Sequence, residues 1–234
     1  VAALFWWLIL EVIGVLALPL AFVVFRHLKD RGYSLAKALG WLFVGFVNWW
    51  LASLRILRNT LPTILWVMLL LGGLSYLIWR RRRQEMVCFW RDRWRLLAFN
   101  EGLFALAFLA FVIIRLLNPD LWQPWFGGEK FMELAFLNAI LRSPYFPPYD
   151  PYFAGGYLNY YYYGQYLVSI LIKLSGVISS VGFNLAIPTL FALTIGNAFS
   201  VGYNLVPGER GRKFAGVAGA VLVAVIGNLT AMNQ

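Results

Sequence analysis

The sequence predicts an all-α polytopic membrane helix bundle of about seven transmembrane helices, with an extracytoplasmic loop that contains a juxtamembrane helix. Three observations predict it. Of 234 residues, 61% are hydrophobic and only 13% charged, and the mean hydropathy is +0.70, so there is too little polar surface for a soluble domain. Apolar runs of about 20 residues recur, the length that crosses a hydrocarbon core of roughly 30 Å. The alternating strands of a membrane barrel are absent, and a backbone without water must satisfy its own hydrogen bonds as helix.

The first run, 3–25, is too long for a signal peptide, lacks a basic start and has no small-residue cleavage site after it. Arg26, Lys29, Arg31 and Lys37 follow it. The second and third runs are 36–54 and 61–79. Arg80 to Arg83, Arg91, Arg93 and Arg95 follow the third. The positive-inside rule makes both basic loops cytoplasmic, and the RRRR run at 80–83 reads as a stop-transfer signal and lipid anchor. The fourth run, 96–117, ends at Pro119, which cannot continue a helix and restrains Asn118. The segment 118–160 is then extracytoplasmic, in a plasma-membrane protein. The remaining runs are 161–178, 183–206 and 214–232. Simple alternation puts Arg210, Arg212 and Lys213 outside, against the rule, so either a re-entrant element intervenes or the rule fails there. Residues 1–95 form an N-terminal three-helix region and 96–234 a second region. Val1 is not a start methionine and Gln234 follows an apolar run, so a fragment incomplete at its C-terminus is expected.

Composition also excludes functions. The formal charge is +10, but outside the loop the 18 bases and 6 acids sit mostly at span ends, as topology and anionic lipid require. No nucleic-acid module accompanies them, so no nucleic-acid partner is expected. Cys88 and His27 are each alone, which leaves no disulfide and no zinc cluster. There is no P-loop and no GxGxxG. A metal, if used, would need carboxylates and would be a hard divalent cation such as Mg or Mn.

The loop concentrates what the rest of the chain lacks. Nine of the twelve tyrosines lie between Tyr145 and Tyr166, and six of the ten prolines between Pro119 and Pro151. Asp120, Glu129, Glu133 and Asp150 face only Lys130 and Arg142. Gly127 and Gly128 allow a turn. From Glu129 to Arg142 no helix breaker occurs, which predicts an interfacial helix. Glu129 and Glu133 share its face. Their structural reading is charge placed at a helix N-terminus, and their functional reading is a reactive pair. Asp150 before Pro151 reads as a turn or cap, or as an acid held above the membrane. Tyr160, Tyr161, Tyr162 and Tyr163 read as an interfacial belt, with one or two turned inward toward the acids. Gln165 closes the motif.

GGEKFMELAFLNAILRS followed by PPYDPYFAGGYLNYYYYGQ closely resembles the YYY family of multi-pass membrane proteins, a domain of unknown function named for this tyrosine run. The stretches at 30–54 and 100–120 resemble that family too. The family tends to carry aspartate at Glu133 and proline at Phe131, which makes the role of Glu133 less secure than that of Glu129. The family in turn resembles, distantly, the C-type glycosyltransferases. That resemblance implies transfer of a sugar from a polyprenyl-phosphate-linked donor to an acceptor on the extracytoplasmic face. It implies catalytic Glu129, Asp150 and Glu133, with Glu129 central. Lys130 or Arg142 would pair with the phosphate, and Tyr160 to Tyr163 and Gln165 would bind substrate. The alternatives are a multi-pass transporter, for which Glu11, Glu101 and Arg115 in or near spans are candidates, and a non-catalytic assembly protein of the cell envelope.

Overall fold

The structure is a computed structural model that describes residues 1–122, 128–224 and 226. Seven helices are described: α1 (Ala2–Val24), α2 (Ala36–Ser53), α3 (Leu61–Leu117), α4 (Lys130–Arg142), α5 (Tyr163–Ser175), α6 (Ser179–Leu205) and α7 (Glu209–Ala224). The chain is all-α among these residues. α1, α3 and α6 are long and apolar enough to cross a membrane. Their outward faces are apolar, as lipid requires: Leu4, Phe5, Leu8 and Val12 of α1 are exposed, while Trp6, Leu10 and Ile13 are fully buried. The turn expected at Gly127 and much of the span at 214–232 lie outside the described residues.

Two expectations are corrected. The arginine segment is not a loop, because α3 stays helical through 80–95. No proline or glycine occurs between Gly73 and Gly102, and arginine, glutamine, glutamate and methionine are good helix formers. Nor is α3 straight. Ser75 Oγ donates to the Leu16 carbonyl at 2.5 Å, and Lys37 Nζ binds Glu11 at 3.0 Å and Glu101 at 2.6 Å. Through α1, these contacts hold residues 75 and 101 within roughly 31 Å, whereas a straight helix would separate them by about 39 Å. α3 therefore folds back through the arginine segment, and both arms pack on α1. Trp79 stacks on Trp90 there with ring centroids 5.4 Å apart.

The second correction concerns 161–178. α5 has only 13 residues, about 20 Å, too short to cross. Gly176, in the left-handed conformation at φ +69°, ends it. Tyr162, just before α5, accepts a hydrogen bond from Trp49 Nε1 (3.0 Å), and Lys173 near its end donates to the Asn59 carbonyl (2.5 Å). Both contacts lie at the same end of the bundle, an arrangement that fits a re-entrant helix.

This places the charges. At one end, Arg31 pairs with Glu85 (3.1 Å), Phe22 packs on Phe89, and Asp30 accepts hydrogen bonds from Ser200 (2.5 Å) and Asn204 (2.9 Å) of α6. At the other, Asn184 near the start of α6 accepts from Arg115 Nε (3.0 Å) and donates to the Pro119 carbonyl (3.2 Å). α6 therefore runs from the acidic loop to the basic end. The bases at 26–37, 80–95 and 207–213 share that end. Arg212 donates to the Val206 and Pro207 carbonyls at 3.1 and 2.6 Å and so covers the C-terminus of α6.

α4 buries Leu134, Phe136, Leu137 and Ile140 against α5 and α6. Its C-terminus is tied down at Asn59. The Asn59 N–H donates to Pro144 O (2.7 Å), and its side-chain amide donates to Ile140 O and Ser143 O (3.4 Å each). Asn48 Nδ2 donates to Asn59 Oδ1 (3.1 Å) and to the Tyr166 hydroxyl (2.8 Å), which donates to Gly45 O (2.8 Å).

Two outcomes are expected. With Cys88 replaced by alanine, Phe153→Cys should label from outside intact cells and Gly208→Cys only after permeabilisation. Outside labelling of both would restore seven alternating spans and remove the re-entrant reading. Tyr166→Phe should lower stability to unfolding in mixed micelles by about 1 kcal/mol, since a buried carbonyl and amide lose a partner.

Candidate functional site

A cavity of about 340 Å³ opens between α4, α5 and α6. Lys130 and Glu133 of α4 line it with Gln165 of α5. Its remaining wall is largely apolar: Trp41, Leu137, Leu167, Val168, Phe183 and Ile187. The local sequence dictates this. On α4, Leu134, Leu137 and Ile140 anchor the buried stripe, and Lys130 and Glu133 sit one turn or less before it, on the side that meets α5. Gly164 keeps the α5 side open, with no atom within 4 Å of where a side chain would start. Trp41 holds α5 by donating Nε1–H to the Leu167 carbonyl at 3.0 Å.

Glu133 is half-buried. Burial pushes its carboxyl above the usual glutamate range, and the nearby Glu129 carboxylate pushes it further. Glu129 itself is exposed at the N-cap of α4, and its carbonyl accepts the Glu133 amide at 2.9 Å. Among the described residues, no three of His, Cys, Asp and Glu come together, so the carboxylates available here are this pair.

The other predicted residues lie apart from the cavity. Arg142 is exposed at the far end of α4, about 18 Å along the axis from Lys130. Asp150 Oδ1 accepts the Tyr152 amide at 2.8 Å, an Asx turn. It sits in a small hairpin where Tyr149 bridges Tyr157 and their rings stack at 5.6 Å. The tyrosine run divides evenly. Tyr160 and Tyr161 are 50% and 85% exposed. Tyr162 and Tyr163 turn inward, but toward Trp49 rather than toward the acids: Tyr162 takes its hydrogen bond, and Tyr163 meets its ring edge-on at 5.9 Å. All four line a second, more open hollow with Trp49.

Sequence reasoning passed over Asn48, Asn59 and Tyr166. A readable signal existed, since asparagine inside an apolar run needs a partner there. Arg115, considered for transport, is held by Asn184.

The family comparison bears directly on this region. Residues 43–234 match the family model described as an uncharacterized membrane protein, DUF2298, a stretch that covers α3 to α7, most of α2 and every residue of the cavity lining but Trp41. The chain belongs to this family. No curated protein and no solved structure matches the chain. Within this DUF2298 domain, Lys130, Glu133 and Gln165 bring a cation, a carboxylate and an amide to one cavity with an otherwise largely apolar wall.

The electrostatics give a signed expectation. The folded state holds the Glu133 proton more tightly than the unfolded chain. Its contribution to stability is full below the unfolded value and is lost as pH rises through the folded one. Glu129→Gln should lower the Glu133 midpoint while leaving it above the ordinary glutamate range, because burial remains. Carbon-13 NMR of labelled glutamate carboxyls would follow it, and an unmoved midpoint would show that the pair is not coupled.

Proposed function

We propose that this protein is a membrane glycosyltransferase that moves a sugar from a polyprenyl-phosphate-linked donor to an acceptor hydroxyl at the extracytoplasmic face. The observation that carries the reading is the cavity whose lining joins a carboxylate, a lysine and an amide to an otherwise largely apolar wall. Such a shape suits an amphipathic ligand, with its head among polar groups and its tail toward lipid. The distant resemblance of the loop to C-type glycosyltransferases points the same way, as an analogy of layout.

The chemistry needs little else. Glu133 takes the proton of the acceptor hydroxyl. The freed oxygen bonds to the sugar's anomeric carbon as the bond from that carbon to the phosphate oxygen breaks. Lys130 pairs with the departing phosphate, and the carboxylate also stabilises positive character at the sugar carbon. Gln165 offers an amide to a sugar hydroxyl. The exposed faces of Tyr160 and Tyr161 suit the apolar side of a sugar ring. In this reading Glu133 is the base because it lines the cavity. Glu129 keeps the Glu133 proton affinity high enough for it to act as a base, and Asp150 shapes the hairpin.

The test is transfer from a polyprenyl-phosphate-linked sugar in proteoliposomes. Glu133→Gln should lose about 10²- to 10⁴-fold in rate while remaining folded, whereas Glu129→Gln should keep most of its rate and shift its pH profile to lower pH. The reverse pattern would transfer the base role to Glu129. Wild-type protein that carries the sugar lipid across the bilayer without transferring it would replace the enzyme with a transporter.

A further inference from the structure

The Glu11 cluster lies deep in the bundle, far from the acidic loop, and the reaction above does not use it. Glu11 is midway along α1, about 13 Å from one end and 20 Å from the other. Lys37, at the start of α2, bridges Glu11 at 3.0 Å and Glu101 of α3 at 2.6 Å. Gly14 makes this possible. A side chain there would start 2.7 Å from Lys37 Cγ, so only glycine lets the lysine stem cross α1. The Lys37 ammonium also lies 4.7 Å from the centre of the Phe104 ring. Tyr33 approaches Glu101 from the 25–35 segment, and burial followed by the Glu101 carboxylate pushes its phenol up, so it stays a neutral donor.

Two carboxylates against one lysine leave a formal charge of −1 inside the bundle, and an uncompensated charge in such a place is costly. A cavity of about 300 Å³ opens beside the cluster. Two of the residues that line it each carry a buried polar atom with no hydrogen-bond partner in the protein: Glu11 Oε1, an acceptor, and Trp7 Nε1, a donor. They are four residues apart on α1, on one face, roughly 6 Å between attachment points. A ligand that satisfies both must bring a positive donor and, a few atoms away, an acceptor.

We propose that this cavity binds a small organic cation of the amino-alcohol class, with its ammonium on Glu11 and its oxygen on the Trp7 indole N–H. The wall argues against an inorganic ion. Hard cations want several oxygens, and beyond the two carboxylates, Lys37 and the Tyr33 phenol the lining is Gly14, Val15, Leu18, Ala36 and the Trp7 indole. An ammonium with an apolar neighbour suits that wall, and one positive charge balances the cluster.

The test uses the full chain in phosphatidylcholine nanodiscs, with ethanolamine, ethylammonium and sodium chloride as probes in calorimetric titrations. Ethanolamine should bind saturably. Glu11→Gln should weaken it about tenfold or more, the worth of a charge-assisted hydrogen bond. Trp7→Phe, which keeps the ring and loses the N–H, should weaken ethanolamine and leave ethylammonium unchanged. If Glu11→Gln does not fold, the Trp7→Phe comparison decides alone. Competition by added phosphatidylethanolamine would identify a lipid head group as the source of the amine, and its absence a soluble one. No saturable binding, displacement by equimolar sodium, or equal loss of both amines in Trp7→Phe would overturn the proposal.

Discussion

Asn59 is the residue on which the acidic end depends. It is 3% exposed, and all four of its polar groups are used. Its N–H and its side-chain amide hold the Pro144, Ile140 and Ser143 carbonyls, its side-chain oxygen accepts from Asn48, and its carbonyl accepts from Lys173. In a low-dielectric interior each such bond is stronger than in water, and each one left unmade costs more. The C-terminus of α4 and the end of α5 are therefore fixed to one residue in the turn between α2 and α3. These two helices carry the polar mouth of the cavity. Lys130 and Glu133 lie up to three turns of rigid helix from that anchor, and Gln165 lies two turns from it. The site's geometry is thus set by a hydrogen-bond node outside it.

The legible part of this fold was whatever apolar run length and helix breakers determine. α1 and α2 begin and end within about a residue of the apolar runs, and α4 spans the breaker-free stretch before Ser143. What charge determines was harder to read. Arginine-rich sequence marks a membrane boundary, but it does not mark a break in helix, and α3 keeps its hydrogen bonds while reversing direction. The length of α5 was hidden because Tyr161 and Tyr162 look like the start of a span, whereas their rings are engaged by Trp49 and Phe146 or exposed. At the site, the placement of Lys130 and Glu133 on one short helix was readable from the breaker-free stretch. Their meeting with Gln165 was not, because it depends on α5 re-entering at the same end. Asp150 was grouped with the acids through the family resemblance and Arg142 through its place in the loop, and the hairpin and the length of α4 set them apart from the cavity.

The re-entrant helix also removes the one conflict in the charge pattern. With α5 turning back, α6 delivers Arg212 and Lys213 to the end that already holds the basic segments at 26–37 and 80–95. Arg212 has a second reason to be there, since the last carbonyls of α6 need donors.

The two carboxylate sites show how depth decides chemistry. Glu133 sits at a cavity mouth, half in reach of water, with another carboxylate beside it and Lys130 on the same wall. Nothing holds it permanently in the charged form, so it can exchange a proton as a reaction requires. Glu101 lies within the bundle, where a lone charge would be far costlier, and Lys37 grips it at 2.6 Å. Lys37 also binds Glu11, whose other carboxyl oxygen has no hydrogen-bond partner in the protein. On the two readings proposed above, proton transfer falls to the site at Glu133, which is in reach of water, and charge binding to the site at Glu11.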